Sequence, residues 1–229
     1  AIAQHRPLWL PLDDGQRTEF GLWSEGAKVG LTGKTAKSGK DFFFPQTEDI
    51  VRFKVKGKEI AIDPAQVPEA PFVVFAMRAC DAAGMEVLDK VFLTDPRDSF
   101  YEARRKAGAL VTLACGDPEE SCFCRSFNID PADPHGDVAT WIVGDTLYWK
   151  PLTEKGEALT KSLENVLADA GTAGDAEVDK AKVAIAEAAK AQPFANLKAP
   201  VVPLEDTDKW FNAEFWNSFS ESCLGCGTC

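Results

Sequence analysis

From Ile50 the chain alternates apolar and polar residues through IVRFKVKGKEIAI, with Lys56-Gly57-Lys58 interrupting the pattern, so residues 42 to 62 are expected to carry a β-hairpin. The pattern then changes. PFVVFAM is a short continuous apolar run over Phe72 to Met77, the pattern of a buried strand. It passes through a small-residue turn holding Cys80 into a helix beginning near Asp81 or Ala82. DSFYEARRKAG predicts a second helix, with Asp98 or Ser99 as N-cap and Gly108 as C-cap, and ALVTLAC a second buried strand ending at Cys115. Alternation resumes in VATWIVGDTLYWKPL around Gly144-Asp145, which predicts a second hairpin. Helical spacing follows from Thr153 to about Ala170, and again from Asp175 to about Gln192, where Pro193 stops it. ANLKAPVVPLEDTD has no period and several prolines, as an extended linker does, and DKWFNAEFWNSFSES is a short aromatic-rich helix.

Strand, helix, strand succession implies an α/β fold: a mixed-sheet domain with flanking helices over residues 1–200. Residues 201–229 are expected to hold a linker, a helix and the start of a further module. With 229 residues and 45% hydrophobic content, the chain can bury a substantial core. Its net charge of −11 opposes nucleic acid and anionic membrane surfaces as partners. No stretch has the length and apolarity of a membrane span, and AIAQHRPLWLPLDDGQ lacks the features of a secretion signal, so a cytoplasmic location without membrane insertion is expected.

Chemistry concentrates in seven cysteines, with only two histidines, His5 and His135, both on expected loops. An odd count and a reducing compartment oppose paired disulfides. Cys80, Cys115, Cys122 and Cys124 fall in two loops after the two buried strands. If those strands are parallel neighbours, the loops lie side by side at the carboxyl end of the sheet, where α/β proteins place ligands. Cys122-Phe123-Cys124 in an extended segment would direct both thiols to one side. Spacing leaves three readings open: buried structural cysteines, a zinc site, or an iron–sulfur cluster. Arg78, Asp81 and Arg125, beside these cysteines, read most simply as solvated charges.

The chain ends on Cys223-Leu-Gly-Cys226-Gly-Thr-Cys229. This is the first three-quarters of the ferredoxin run C-x2-C-x2-C-x3-C-P, with Gly225 and Gly227 allowing the tight turns that bring amide N–H groups to the sulfurs. Continuation of the polypeptide past Cys229 into the rest of that run is the expectation, and a three-iron cluster or a ligand from another subunit the alternatives. GAKVGLTGK, residues 26–34, fits neither a dinucleotide fingerprint nor a phosphate loop and reads as a flexible loop. Trp210, Phe211, Phe215, Trp216 and Phe219 read as core rather than as a partner-facing patch.

Three stretches together resemble one family. KDFFFPQTEDIVRF, AMRACDAAGMEVLDKVF and TLACGDPEESCFCRSF are similar to the K-x-F-F-P-P-x-E-x-L-F, R-P-C-D-x-x-A and N-C-x-x-P-x-x-x-C-F-C-x-S segments of iron–sulfur beta subunits of NAD(P)-linked sulfhydrogenases. Related iron–sulfur subunits of anaerobic sulfite reductase and of flavin oxidoreductases linked to heterodisulfide reductase share these segments. The resemblance covers about residues 40–130 and 220–229. It implies a 4Fe-4S cluster on Cys80, Cys115, Cys122 and Cys124, and a second partly held by Cys223, Cys226 and Cys229 in the ferredoxin-like iron–sulfur module. The implied role is non-catalytic electron transfer between a hydrogenase, heterodisulfide reductase or other redox catalytic subunit on one side and a flavin/NAD(P)-binding oxidoreductase subunit on the other. Ala79 departs from the family's usual proline. A zinc-stabilised interaction module is the alternative function.

Overall fold

The computed structural model describes residues 1–64, 70–197 and 214–220, and the chain divides into two compact units, Ala1–Leu197 and Lys198–Cys229. The first is α/β. Its centre is a six-stranded mixed sheet in the order β2-β1-β5-β6-β7-β8, made of β1 (Leu8–Asp13), β2 (Thr18–Leu22), β5 (Phe72–Met77), β6 (Gly108–Leu113), β7 (Val138–Val143) and β8 (Thr146–Pro151). The β1, β5, β6 and β7 strands run parallel, and the outer β2 and β8 are antiparallel to their neighbours. All six residues of β6 are buried, as expected for a central parallel strand covered on both faces.

Helices cover those faces. On one side α1 (Ala79–Phe92) and α2 (Ser99–Ala107) bring Ala82, Met85 and Tyr101 onto Val74 and Leu110, with Phe43 completing the cluster. On the other side α3 (Glu154–Lys161) lays Leu159 against Val73, Ala109, Val111 and Val138, whereas α4 (Gly171–Lys190) sets Val178 and Ile185 by Trp141, which with Ala139 faces the same side of the sheet as Leu110 and Thr112. Both expected hairpins form. β7 and β8 turn at Gly144, while β3 (Val51–Lys56) and β4 (Glu59–Pro64) make a separate two-stranded ribbon. Val51, Phe53, Val55, Ile60 and Ile62 are all exposed on this ribbon.

Several boundaries depart from the pattern-based expectation. Residues 8–22 form a hairpin that the sequence does not announce, because Pro11 lies inside β1. The proline is tolerated because β1 pairs with β5 only through Leu8 and Trp9, and the loop that flanks β1 farther along uses the Pro11 carbonyl and the Asp13 amide rather than a donor at position 11. The Asp13 and Asp14 carboxylates accept from the Gly15, Gln16 and Arg17 amides and shape the turn, with Gly15 at φ +90°. The third helix stops at Lys161 rather than Ala170: the chain tightens into turns in which the Ser162 hydroxyl donates to the Leu159 carbonyl and Leu163 is buried. The fourth begins at Gly171, before the expected Asp175. In the second unit, α5 (Glu214–Ser220) is helical as expected. The linker from residue 198, Trp210, Phe211 and the terminal cysteines lie outside the described residues.

A buried carboxylate that the sequence does not flag joins the layers. Asp137 accepts at Oδ2 from the Leu110 amide (2.8 Å) and at Oδ1 from the Thr153 hydroxyl (2.7 Å). Lys155 donates to the Arg105 and Gly108 carbonyls at 2.9 and 2.8 Å, tying α3 to the end of α2.

Candidate metal centre

β5 and β6 are parallel neighbours, so their carboxyl ends lie side by side, as the sequence reading requires. Cys80, Cys115, Cys122 and Cys124, all free, follow these ends. Each is placed by a different local device. The chain leaves β5 through a bulge at Ala76, where φ is +65°. Arg78 is extended as the N-cap, and α1 starts at Ala79, so Cys80 belongs to the helix's first turn and not to the connecting turn. Ala79 is the first helical residue, a position that also favours proline, so the exchange between the two is compatible with this backbone. Cys115 follows β6, its amide donating to the Pro131 carbonyl at 2.9 Å.

The segment Cys122-Phe123-Cys124 is not extended. Glu119 to Cys122 is a tight turn, in which the Cys122 amide donates to the Glu119 carbonyl and the Glu119 amide donates to the Cys122 sulfur at 3.3 Å. Cys124 opens a 3-10 helix, Cys124–Phe127, closed by Asn128 at φ +57°. Local hydrogen bonding therefore replaces the strand geometry expected from the spacing. The thiols nevertheless lie within electrostatic reach of one another. Burial, then the Asp81 carboxylate and Cys115, push the Cys80 thiol up to about 11. Cys115 is raised by burial, opposed by the Arg78 charge and reinforced by Cys122 and Cys124. Cys124 is raised by burial and by Cys122, with Arg125 acting in the opposite direction.

Two of the three flanking charges are structural, contrary to their reading as solvated groups. The Arg78 guanidinium donates to the carbonyls of Leu31 (2.5 Å), Gly33 (3.0 Å) and Ala114 (3.2 Å). Asp81 accepts from the Ser38 hydroxyl at 2.7 Å and the Lys40 ammonium at 2.6 Å. Arg125 is exposed, as expected. The three motif stretches thus meet: Lys40 of the first bonds Asp81 of the second, and Arg78 of the second bonds Ala114 of the third.

The loop GAKVGLTGK is fastened rather than free. Its Lys28 carbonyl accepts from the Asp13 amide, its Gly30 amide donates to the Pro11 carbonyl, and Arg78 holds Leu31 and Gly33. The loop ends by placing Lys34 against Ser121 Oγ (3.2 Å) and Glu119 (3.1 Å), on the turn that carries Cys122. Lys34 was invisible as a site residue because it is distant in sequence from every cysteine. The histidines stay apart from the thiols: His5 is exposed and His135 pairs with Glu86 at 3.2 Å. A cavity of about 650 Å³ lined by Arg6, Ser99, Glu102, Lys106 and Lys155 contains no thiol.

Among the described residues, no three His, Cys, Asp or Glu side chains stand close enough to form a finished metal cage. The donor set nonetheless fits a thiolate-bound metal group in kind. It comprises four free thiols, an amide N–H directed at one sulfur, and cations at two of the cysteine loops to offset thiolate charge. No helix among the described residues is long and apolar enough to cross a membrane.

No family model matches the chain, and no solved structure matches it. It is 29% identical over 188 residues to sulfhydrogenase 2 subunit beta of Pyrococcus furiosus, which covers 82% of this chain and 53% of that protein. The chain thus spans about half the length of the curated relative. This likeness supports the resemblance to sulfhydrogenase beta subunits carried by the motifs.

Proposed function

We propose that this chain is an iron–sulfur electron-transfer subunit of an anaerobic redox complex. It passes electrons between a hydrogenase, heterodisulfide reductase or other catalytic partner and a flavin/NAD(P)-binding subunit. The observation that supports this reading is that four free cysteines lie on the segments that follow two adjoining parallel strands. The similarity to a sulfhydrogenase subunit supports the redox-complex assignment. Cys80, Cys115, Cys122 and Cys124 would hold one 4Fe-4S cluster, and Cys223, Cys226 and Cys229, outside the described residues, would hold part of a second. A bound cluster supplies one-electron transfer within a range of roughly −700 to +450 mV.

The chain's own residues position and tune. Arg78 clamps the loop of residues 31–33 to the end of β6, the Lys40–Asp81 pair fixes the first turn of α1, and the Glu119 amide holds the Cys122 sulfur. The excess of carboxylates in a chain of net charge −11 makes added electrons less favourable and lowers the potential. Iron and acid-labile sulfide on anaerobically purified protein, with an EPR spectrum after dithionite reduction, test the proposal. About four irons or more per chain with a reduced-cluster signal are expected. Zinc without sulfide would overturn it and favour a zinc-stabilised interaction module.

A further inference from the structure

The loop from Gly26 to Lys34 contains no cysteine and matches no nucleotide motif, yet it is bound at four places and ends on the turn that carries Cys122. Binding residues are often carried on loops that a rigid scaffold positions. Here the tip is Lys34, whose ammonium touches Ser121 Oγ at 3.2 Å and the Glu119 carboxylate at 3.1 Å, on the turn that carries Cys122. The Glu119 amide donates to the Cys122 sulfur, and the Lys34 ammonium, held on the Glu119 carboxylate and on Ser121, brings a positive charge to the same turn. At Cys80 the charged side chain that acts most strongly among the described residues is the Asp81 carboxylate, which in turn engages Lys40 and Ser38. At Cys115 the neighbouring cation is Arg78, committed to three backbone carbonyls.

We infer that Lys34 is a positioning and charge-compensating residue of the four-thiol centre, which stabilises the extra negative charge of the reduced state at its Cys122 corner. The inference rests on the proposed iron–sulfur reading and deepens it. The neighbouring carboxylate gives it a signed internal control. Glu119 faces the same ammonium and is half exposed, so its negative charge opposes reduction where the charge of Lys34 favours it. Lysine contributes a compact point charge here, and arginine preserves the sign of that charge though not its shape.

The experiment is an EPR-monitored redox titration of anaerobically purified wild-type, Lys34→Gln, Lys34→Glu, Lys34→Arg and Glu119→Gln proteins, with iron and sulfide counted in each. At the wild-type midpoint, Lys34→Gln should raise the oxidised-to-reduced ratio at least about threefold, about 28 mV for a one-electron couple. Lys34→Glu should move further the same way, Lys34→Arg should stay close to wild type, and Glu119→Gln should shift oppositely. Loss of iron in Lys34→Gln but not in Lys34→Arg would equally support a role for the charge. Unmoved midpoints in iron-replete Lys34→Gln and Lys34→Glu would overturn this inference alone, as would equal iron loss in Lys34→Gln and Lys34→Arg. Wild-type protein without iron and sulfide would overturn it together with the function it rests on.

Discussion

Replacing Arg78 with alanine tests how the loop, the sheet and the thiol site are joined. The guanidinium is half-buried and donates to three carbonyls, two on the loop at Leu31 and Gly33 and one at Ala114, beside Cys115. A hydrogen bond from a charged donor contributes about 1.5–3 kcal/mol, and an acceptor left without its donor loses part of that even when water reaches it. Because the group is only half-buried, water recovers some of the loss. We expect Arg78→Ala to cost about 2–4 kcal/mol in all. With a urea dependence of about 2 kcal/mol per molar, the unfolding midpoint should fall by about 1–2 M. Hydrogen exchange should accelerate across residues 28–36, whose remaining ties include the Asp13–Lys28, Pro11–Gly30 and Thr18–Ala36 backbone bonds and the Lys34 contacts with Ser121 and Glu119. Arg78→Lys, which offers a point charge in place of a planar fork, should fall between the two proteins. An unchanged midpoint together with unchanged exchange in the loop would refute the clamp.

Two further perturbations address the layers around the site. A methyl group on Gly156 would come within 1.9 Å of the Asp137 carbonyl oxygen, so Gly156→Ala should push α3 off β7 and destabilise by about 1–3 kcal/mol despite alanine's better helix propensity. A urea midpoint equal to or above wild type would contradict that close approach. The Tyr101 hydroxyl donates to Asp89 at 2.6 Å, and burial followed by that carboxylate raises its ionisation well above the ordinary tyrosine value. Tyr101→Phe should therefore cost about 1 kcal/mol at neutral pH. A raised value in the folded state means that the contribution is present below the unfolded tyrosine value, about 10, and is lost as pH climbs above it. The gap between the two proteins should accordingly narrow in alkaline unfolding curves, and a constant gap would argue against the bond.

What the chain's pattern determined by itself is local. Phe72–Met77 and Gly108–Leu113 are apolar runs of strand length, Asp98 and Gly108 cap the helix between them, and Gly144 turns the second hairpin. Each signal lies within a few residues, where backbone preference and side-chain periodicity act directly. The cysteine spacing likewise marked candidate ligands, and the motif stretches marked the sulfhydrogenase beta-subunit resemblance that the comparison supports. The strand at residues 8–13 escaped because proline breaks the local signal, while only pairing with β2 and β5 explains why it is tolerated.

Tertiary structure decided which loops face each other and which charges serve them. Parallel pairing of β5 with β6 brings Cys80 and Cys115 to one end of the sheet, a pairing that no residue near either cysteine encodes. Arg78 and Asp81 look solvated in sequence because their partners, Leu31, Gly33, Ser38, Lys40 and Ala114, are 36 to 47 residues away. Lys34 reaches Ser121 across 87 residues for the same reason. Hydrogen bonds and ion pairs act over a few ångströms of space whatever their separation along the chain, so the periodicity that discloses a strand carries no trace of them.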